Sequence, residues 1–550
     1  MSGGFPKLLG GHALSCACNR VQGSAEGLLA LGQRKSDSGR AMSDIPDLDD
    51  RPKPLDHLAE RGARDAPALV LKDRTLSHAD LAGRVALLAG WLEAKLAKGD
   101  RVASWAAKGE LTCLLPLAAA RAGMVHVPVN PLLKRAQVAH ILGDSGAKLL
   151  IGTKARIATL EEQDLAGGCE TLDEETAWSS AEEAGLELAP SAHDPGDLAA
   201  ILYTSGSTGK PKGVMLSHAN MWLGAVSVAY YVGLAADDVT LAVLPLSFDY
   251  GQSQLLSTWY AGGSVVPLDY LFPRDVPKAC ARHGITTLAA VPPLWVQLTE
   301  VDWPEDAVAS LRRVTNSGGA LTSDIISALS SILPETKIFP MYGLTEAFRS
   351  SYLDPALVAD HPTSMGRAIP FAEILVINDD GDLCGAGEEG ELVHCGPLVA
   401  HGYWQDADRT AERFRPAPAA SRYGGLAVWS GDRVMRDEDG LLYFVGRRDT
   451  MIKSSGNRIS PQEIESAALA TGLVAEAVAL GVADQRLGQA IHLVARAAPD
   501  APDAEDLLPK ALAKELPNFM QPHRIHWRAH MPLNPNGKID RTALAQEIAA

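Results

Sequence analysis

The sequence lacks a long apolar run, and its cysteines are few and scattered. The most apolar stretch, residues 111–130, is interrupted by Arg121, whereas a bilayer-spanning helix needs about 20 apolar residues. The chain therefore predicts no membrane span. The seven cysteines are odd in number and form no pairs at zinc-finger spacing, which argues against a disulfide scaffold and against a structural zinc site. These absences favour a cytoplasmic enzyme with reduced thiols.

Basic residues are also fewer than acidic residues. The 550 residues include 50 Lys+Arg against 67 Asp+Glu, which gives a formal net charge of −17. Nucleic-acid binding depends on cations that neutralise phosphates, so we expect no nucleic-acid partner, although a single local phosphate pocket stays compatible with this balance. Hydrophobic residues make up 46% of the chain and charged residues 21%, which is typical of globular proteins.

The chain divides into an extension and two predicted domains. Residues 1–45 are rich in Gly and Ser and show little apolar periodicity, which predicts a disordered extension; a transit peptide is the alternative, because the segment is basic and poor in acids. A large N-terminal domain is predicted over residues 46–448, and a smaller α+β domain over residues 449–550. Within the first, residues 372–448 carry Asp-Gly turns between short alternating strands and predict a small β-rich subdomain.

The N-terminal domain alternates helical patterns with short apolar runs, which predicts an α/β fold with parallel strands. Helices are predicted at residues 81–96, 111–122 and 136–142. Strands are predicted at residues 101–105, 125–129, 148–151, 240–244, 264–267 and 287–291.

The strongest local motif is a polar loop at residues 203–213, between predicted strands at 198–202 and 214–216. It holds four Ser/Thr hydroxyls, three glycines and two lysines, which together supply the backbone N–H groups, hydroxyl donors and charge that a polyphosphate needs. It is not a Walker A loop, because Pro211 follows Lys210 and a strand follows the last glycine. The predicted phosphate-binding residues are Thr204, Ser205, Gly206, Ser207, Thr208, Gly209 and Lys210.

This loop resembles the signature of the AMP-forming adenylating superfamily, which includes acyl-CoA synthetases, amino-acid adenylation domains and luciferases. Five further segments resemble the superfamily's motifs in the correct order, so the resemblance covers about residues 50–545, and we identify the chain as a member. These segments are residues 316–320, 342–346, 430–432, 446–449 and 535–538.

The resemblance implies that a carboxylate attacks the α-phosphate of ATP, giving an acyl-adenylate, and that a thiol then displaces AMP. The implied cofactors are ATP, Mg²⁺ and CoA, or the phosphopantetheine of an acyl carrier protein. The implied catalytic residues are Lys538, Thr345, Glu346 and Lys210. Glu346 would hold Mg²⁺ through oxygen; the alternative is a surface acid at a helix start that Thr345 caps.

The resemblance also assigns the nucleotide site and a mobile C-terminal domain. Asp449 would be the hinge about which that domain turns between the two half-reactions. Ser460, Pro461 and Glu463 predict a capping box at the start of a helix that ends near Gly472. The implied nucleotide-binding residues are Gly318, Gly319, Ala320, Tyr342, Gly343, Asp432 and Arg447, and the implied thiol channel contains Lys453, Ser455 and Gly456.

The acid substrate should contact Phe248, Asp249, Tyr250 and Gly318. Many acyl-CoA synthetases carry His where this chain has Phe248, whereas an aromatic-Asp pair is common in amino-acid adenylation domains, where the Asp binds the α-amino group. A buried Asp249 needs a positive partner, and a substrate ammonium would serve. The alternative is an Asp249 that bonds to a nearby backbone N–H or to Tyr250.

Two enzyme functions therefore stay open. Residues 453–456 favour an acyl-CoA synthetase, and the chain is similar to the AMP-forming ligases found with bacterial exosortase systems. Residues 534–541 favour an amino-acid adenylating ligase that loads a carrier protein. The first is our expected function and the second its alternative. A non-catalytic nucleotide-binding protein is disfavoured because Lys210, Glu346 and Lys538 are all present.

Overall fold

The computed structural model describes residues 48, 51–204, 211–447, 452–454, 457–484 and 487–549. The extension predicted over residues 1–45 lies outside the described residues, as do the hinge Asp449 and the channel residues Ser455 and Gly456. Six of the seven predicted phosphate-loop residues also lie outside them: Ser205, Gly206, Ser207, Thr208, Gly209 and Lys210. None of the described helices is both long enough and apolar enough to cross a bilayer.

The first sheet of the N-terminal domain has six strands in the order β6-β5-β3-β4-β7-β8, parallel except for β8. Its buried strands are covered by helices, as expected for parallel sheets. The strands are β3 (Arg101–Trp105), β4 (Val125–Pro128), β5 (Leu149–Gly152), β6 (Glu170–Asp173), β7 (Leu198–Thr204) and β8 (Lys212–Ser217). The helices of this region are α1 (His78–Lys95), α2 (Glu110–Arg121), α3 (Arg135–Ser145), α4 (Lys154–Ile157) and α5 (Glu174–Ala184).

The second sheet is longer and mixed, with fourteen strands in the described residues. Its parallel part follows the order β13-β12-β11-β9-β10-β1, and β2 pairs antiparallel at its edge. The strands of this part are β1 (Pro67–Val70), β2 (Thr75–Ser77), β9 (Val239–Ala242), β10 (Ser264–Pro267), β11 (Thr287–Ala290), β12 (Arg313–Asn316) and β13 (Lys337–Tyr342). The helices here are α6 (His218–Val232), α7 (Asp249–Tyr260), α8 (Asp275–His283), α9 (Pro292–Thr299), α10 (Glu305–Ser310) and α11 (Ser323–Ile332).

An antiparallel extension continues the second sheet past β13, in the order β13-β14-β15-β20-β19-β17-β16, with β18 beside β19. Most of it falls in the segment for which the sequence predicted a β-rich subdomain, and the predicted turn glycines Gly381 and Gly440 both have positive φ. Its elements are β14 (Ser351–Tyr352), β15 (Ser364–Ala368), β16 (Glu373–Ile377), β17 (Glu389–Cys395), α12 (Ala407–Arg413), β18 (Phe414–Pro416), β19 (Leu426–Arg436) and β20 (Leu442–Arg447).

The C-terminal domain is a five-stranded sheet with helices, and it has its own apolar core. Its strands run in the order β22-β21-β24-β23, with β25 parallel to β24. Its elements are β21 (Ile452–Ser454), β22 (Asn457–Ile459), α13 (Pro461–Ala470), β23 (Val474–Asp484), β24 (Gly488–Ala497), α14 (Ala504–Glu515), β25 (Arg524–Trp527) and α15 (Arg541–Ala549). Six 3₁₀ helices complete the described residues: Leu55–Glu60, Glu162–Asp164, Ala166–Gly168, Thr345–Ala347, Pro355–Leu357 and Asn518–Met520.

Local chemistry explains where several elements begin. Ser77 and Asp80 form a capping box at the start of α1, which therefore begins three residues before the predicted position. At α13 the predicted cap position and the Pro at N1 are confirmed, but the capping box is wrong, because the Ser460 hydroxyl donates instead to the carbonyl of Val445 at 2.6 Å. The predicted α/β class, with a large N-terminal and a smaller C-terminal domain, is confirmed.

Candidate active site

One cavity of about 430 Å³ lies at the carboxyl ends of the parallel strands, the usual place for ligand sites in such sheets. Segments that are far apart in sequence meet there, because β12 and β13 end, and α7 begins, at this edge of the sheet. Every predicted adenylation-site residue that the structure describes lines it: Thr204, Phe248, Asp249, Tyr250, Gly318, Gly319, Ala320, Tyr342, Gly343, Thr345, Glu346, Asp432, Arg447 and Lys538. The predicted thiol-channel residue Lys453 lies in β21.

At one end of the cavity, Asp432 is held by two partners. The Tyr342 hydroxyl donates to Asp432 Oδ2 at 2.5 Å, and Arg447 Nε donates to Oδ1 at 2.7 Å from the neighbouring strand. Burial and the adjacent Asp432 carboxylate raise the pKa of the Tyr342 hydroxyl well above its usual range. Tyr342 and Asp432 are both implied nucleotide-binding residues, and the structure shows in addition that the Tyr342 hydroxyl orients the Asp432 carboxylate.

At the end of the cavity next to the predicted phosphate loop, Glu346 is buried and belongs to a polar triad. The Tyr403 hydroxyl donates to Glu346 Oε1 at 2.6 Å, and Lys212 Nζ lies 2.7 Å from that hydroxyl and 3.3 Å from Oε1. Burial alone would raise the pKa of Glu346, but the Lys212 ammonium and the Tyr403 hydroxyl outweigh it, so this pKa lies below its ordinary value. The alternative of a surface acid capped by Thr345 is wrong: Leu344 is the N-cap residue, without a side-chain bond.

The turn that carries Glu346 is fixed by packing. Phe348 has a φ of +56° and is fully buried, a backbone conformation that costs free energy outside glycine and persists only when the surroundings enforce it. A Cβ atom added at Gly224 in α6 would lie 2.2 Å from the Phe348 ring. Gly224 therefore makes room for that ring, and the ring holds the turn in place.

Thr204 and Lys212 pair across the two ends of the phosphate loop. The Thr204 hydroxyl is buried and has no hydrogen-bond partner in the described part of the chain. Lys212 belongs to the predicted motif, but the sequence assigned a role only to Lys210.

Arg413, from the end of α12, also lines the cavity, and its charge contributes to lowering the pKa of Glu346. No sequence motif pointed to Arg413 or to Tyr403.

At the end of the cavity that carries the predicted acid-binding residues, the predicted acyl end, Asp249 forms a buried ion pair with Arg349. Arg349 Nη1 lies 2.8 Å from Asp249 Oδ2, and the Thr345 hydroxyl donates to Oδ1 at 2.9 Å. The Arg349 guanidinium lies 4.4 Å from the centre of the Tyr250 ring, while the Tyr250 hydroxyl pairs with Thr315. The prediction that Asp249 bonds to a backbone N–H or to Tyr250 is therefore wrong. Its positive partner is the Arg349 side chain, which the sequence did not predict.

Lys538 reaches this end from the C-terminal domain. Its side chain lies against Gly318, which has a φ of +87°; a Cβ atom there would lie 2.5 Å from Lys538 Cε. Burial lowers the pKa of the Lys538 ammonium, and the Asp249 carboxylate opposes this shift. A cation is thus held beside the acyl end of the cavity, where it could neutralise oxygens of an incoming carboxylate and phosphate.

A second, mainly apolar cavity of about 640 Å³ adjoins the first. Residues 244–247 and 291 line one side, and the loop that precedes Lys538, residues 533–537, lines another. The predicted place of Lys453 in a thiol channel stays a prediction.

The fold and this arrangement are those of adenylate-forming ligases. A family model described as AMP-binding enzyme matches residues 55–404, and one described as AMP-binding enzyme C-terminal domain matches residues 463–538. The chain therefore belongs to this family, whose members use ATP to activate an acid as its adenylate.

Curated relatives and solved structures agree with this membership. L-proline--[L-prolyl-carrier protein] ligase of Pseudomonas fluorescens is 31% identical over 82% of this chain and 90% of that protein. Bacitracin synthase 3 of Bacillus licheniformis is 30% identical over 94% of this chain, which spans 8% of that protein. ATP-bound MatB from Rhodopseudomonas palustris superposes with a TM-score of 0.81 at 26% identity, over 91% of this chain and 99% of that one. o-Succinylbenzoate CoA synthetase (MenE) from Bacillus subtilis, in complex with its acyl-adenylate, superposes with a TM-score of 0.77 at 27% identity, over 90% of this chain and 98% of that one.

Proposed function

We propose that the protein is an AMP-forming acyl-CoA synthetase whose substrate is a carboxylic acid without an α-amino group. The observation that carries this proposal is the Asp249–Arg349 ion pair. Asp249 is the residue that would bind a substrate ammonium, and here a buried guanidinium 2.8 Å away already neutralises it. A second cation at the same carboxylate would meet the repulsion of Arg349 in a poorly hydrated site, which is costly.

The first half-reaction is a displacement at phosphorus. An oxygen of the substrate carboxylate forms a bond to the α-phosphorus of ATP, the bond from that phosphorus to the bridging oxygen breaks, and pyrophosphate leaves. The work of the protein is positioning and charge neutralisation. In the proposed assignment Lys538 bridges the carboxylate and the α-phosphate, Thr345 donates to the α-phosphate, and Asp432 and Arg447 hold the ribose.

The residues present fit a single Mg²⁺ ion. Glu346 is an oxygen ligand whose lowered pKa keeps it ionised, and Mg²⁺ commonly uses one or two protein carboxylates together with substrate phosphates. When bound, this ion would supply positive charge to the phosphate oxygens. No cluster of three or more metal-ligating side chains occurs in the described residues, so the triphosphate itself would supply further ligands.

In the second half-reaction the thiolate of CoA attacks the acyl carbonyl carbon, the bond to the AMP oxygen breaks, and AMP leaves. The adjoining apolar cavity supports a thiol acceptor on a long arm, since the loop that carries Lys538 lines both cavities. The proposed rotation about Asp449 would withdraw that loop and let the arm enter. The likeness to o-succinylbenzoate CoA synthetase, at 27% identity, favours CoA over a carrier protein.

The second candidate function is an amino-acid adenylating ligase that loads a carrier protein. It is favoured by the 31% identity to the prolyl-carrier protein ligase and by the Phe248-Asp249 pair. The two candidates differ in the acid and in the acceptor, so separate assays of each half-reaction discriminate between them.

The test is ATP–pyrophosphate exchange with matched acids that differ only in the α-amino group, such as 3-phenylpropanoate against phenylalanine and hexanoate against norleucine. Exchange with the acids that lack the amino group, followed by thioester formation on free CoA, supports the proposal. Exchange with amino acids alone, abolished by Asp249→Ala, contradicts it and supports the second candidate.

A further inference from the structure

We propose that Asn130 positions the Lys538 loop on the N-terminal domain during adenylation and releases it for thioester formation. Asn130 follows β4 in the first sheet, whereas residues 534–538 belong to the C-terminal domain. The Asn130 side-chain amide Nδ2 donates to the Pro535 carbonyl at 2.6 Å and to Asn536 Oδ1 at 3.2 Å. This inference rests on the proposed two-step reaction and adds to it a residue that acts through Lys538.

The orientation of the Asn130 amide is fixed by its own neighbourhood. Its oxygen, Oδ1, accepts a hydrogen bond from the backbone N–H of Leu132 at 2.9 Å. The side chain is buried, with 5% of the residue exposed. With the oxygen engaged in this local turn, the NH₂ group faces the loop, and a buried donor that lost its acceptor would destabilise this pose.

The loop itself is internally braced, so a bond to Pro535 also locates Lys538. Asn534 Oδ1 accepts from the backbone N–H groups of Asn536 at 3.0 Å and Lys538 at 3.1 Å, and the Asn534 N–H donates to the Lys538 carbonyl at 2.7 Å. Gly537 takes a φ of +78° within the turn. Fixing the Pro535 carbonyl therefore fixes where the Lys538 side chain enters the cavity.

Asn130 also lines the second cavity together with residues 534–537. The bonds that hold the Lys538 loop in place thus also fix one wall of the cavity that a thiol arm would enter. In the proposed cycle they must break between the half-reactions. The geometry therefore makes Asn130 a positioning residue for the first half-reaction, with no part in the second.

Asn130→Asp is the sharpest substitution, since it keeps the size of the side chain and the acceptor for Leu132 but removes the donor to Pro535. We expect pyrophosphate exchange to fall between about 10-fold and 100-fold, the range in which misplaced catalytic groups act. The loss should appear in kcat with the KM for ATP unchanged, and thioester formation from supplied acyl-adenylate should stay at the wild-type rate.

Glu300→Gln is the matched control. It breaks the Arg496–Glu300 ion pair, 3.1 Å long, which also joins the two domains but does not touch the loop. If Asn130 only helped the domains to dock, both substitutions would lower exchange alike. Equal loss of both half-reactions in Asn130→Asp, or no loss in either, overturns the inference.

A reversible cross-link tests the contact without relying on loss of activity. Because Asn130 Nδ2 lies 3.2 Å from Asn536 Oδ1, which is tip-to-tip contact and wider than a direct disulfide spans, the pair Asn130→Cys and Asn536→Cys should be bridged by a short bifunctional methanethiosulfonate, which forms one reducible disulfide with each cysteine. The cross-linked protein should retain pyrophosphate exchange, lose thioester formation, and regain it on reduction. Absence of a cross-link, or a cross-linked protein that completes both half-reactions, contradicts the inference. Wild-type protein that shows no exchange with any acid instead contradicts the proposed function, while the cross-link still reports the contact.

Discussion

Gly318 and Lys538 approach so closely that a side chain at position 318 would displace the end of the Lys538 side chain. A Cβ atom at Gly318 would lie 2.5 Å from Lys538 Cε and 3.0 Å from its Nζ. The two residues are 220 positions apart in sequence, since 538 − 318 = 220, and they belong to different domains. The turn after β12 thus shapes the path by which the lysine enters the cavity.

Gly318→Ala should therefore displace Lys538 and lower pyrophosphate exchange by about tenfold or more. The positive φ should also lower the free energy of unfolding by about 1–2 kcal/mol, because alanine is strained in this backbone conformation. Gly440→Ala is the control, because Gly440 has a similar φ of +83° but its Cβ atom would meet only Arg367 Nε, 4.0 Å away. It should lose similar stability with unchanged exchange. Equal loss of exchange in both variants would show that strain, and not the lysine, is responsible.

Lys538→Ala should abolish most adenylation while leaving thioester formation from supplied acyl-adenylate nearly intact. The reason is that Lys538 is the cation beside the acyl end, while the second half-reaction requires its loop to leave. Rapid mixing with synthetic acyl-adenylate and CoA measures that step alone. A variant that loses both half-reactions equally would contradict the assignment of two domain poses.

The pH dependence of adenylation should report the same lysine. Burial lowers the pKa of Lys538 below its ordinary value of 10.5, so its proton is lost at a lower pH than from a free lysine. Exchange should decline on the alkaline side as the pH rises through this lowered pKa. Lys538→Arg keeps its charge over the whole range, so its residual activity should lack that decline. An unchanged alkaline limb in Lys538→Arg assigns the limb to another group.

The sequence predicted which residues lie together where those residues belong to ordered motifs. Fourteen predicted residues line one cavity, because the carboxyl ends of neighbouring parallel strands meet at one edge whatever the detailed packing. The predicted strands Arg101–Trp105 and Ser264–Pro267 also have the observed bounds. Motif order thus sufficed to predict the general fold and which residues line one cavity, while their roles in adenylation stay predictions.

Partners across the fold were not predictable. Arg349 lies 100 positions from Asp249, and Tyr403 lies 57 positions from Glu346. Neither pair leaves a local pattern, because an ion pair between distant elements depends on how those elements pack. The same holds for Ser460, whose hydroxyl bonds to Val445 in a neighbouring strand in preference to its own helix. Tertiary packing decided these contacts.

Arg349→Met tests whether the buried ion pair matters for stability. It removes the charge partner of Asp249 and leaves the carboxylate buried, a change that typically costs about 3–5 kcal/mol. The double substitution Asp249→Asn with Arg349→Met removes both charges and should recover most of this loss. Urea unfolding of the wild type, Arg349→Met and the double variant measures this loss and its recovery. A double variant as unstable as Arg349→Met would contradict the pairing as the cause.

Glu346 should make the free energy of unfolding depend on pH in the acidic range. Its pKa is lower in the folded protein than its ordinary value of 4.5, because Lys212 and Tyr403 favour the carboxylate and outweigh burial. A group with a lowered folded pKa contributes stability above its unfolded pKa and loses that contribution as the pH falls through the folded pKa. Wild type should therefore exceed Glu346→Gln in free energy of unfolding at pH 7, and the difference should shrink below pH 4.5. A difference that stays constant from pH 7 to pH 4 would assign it to packing and not to the charge.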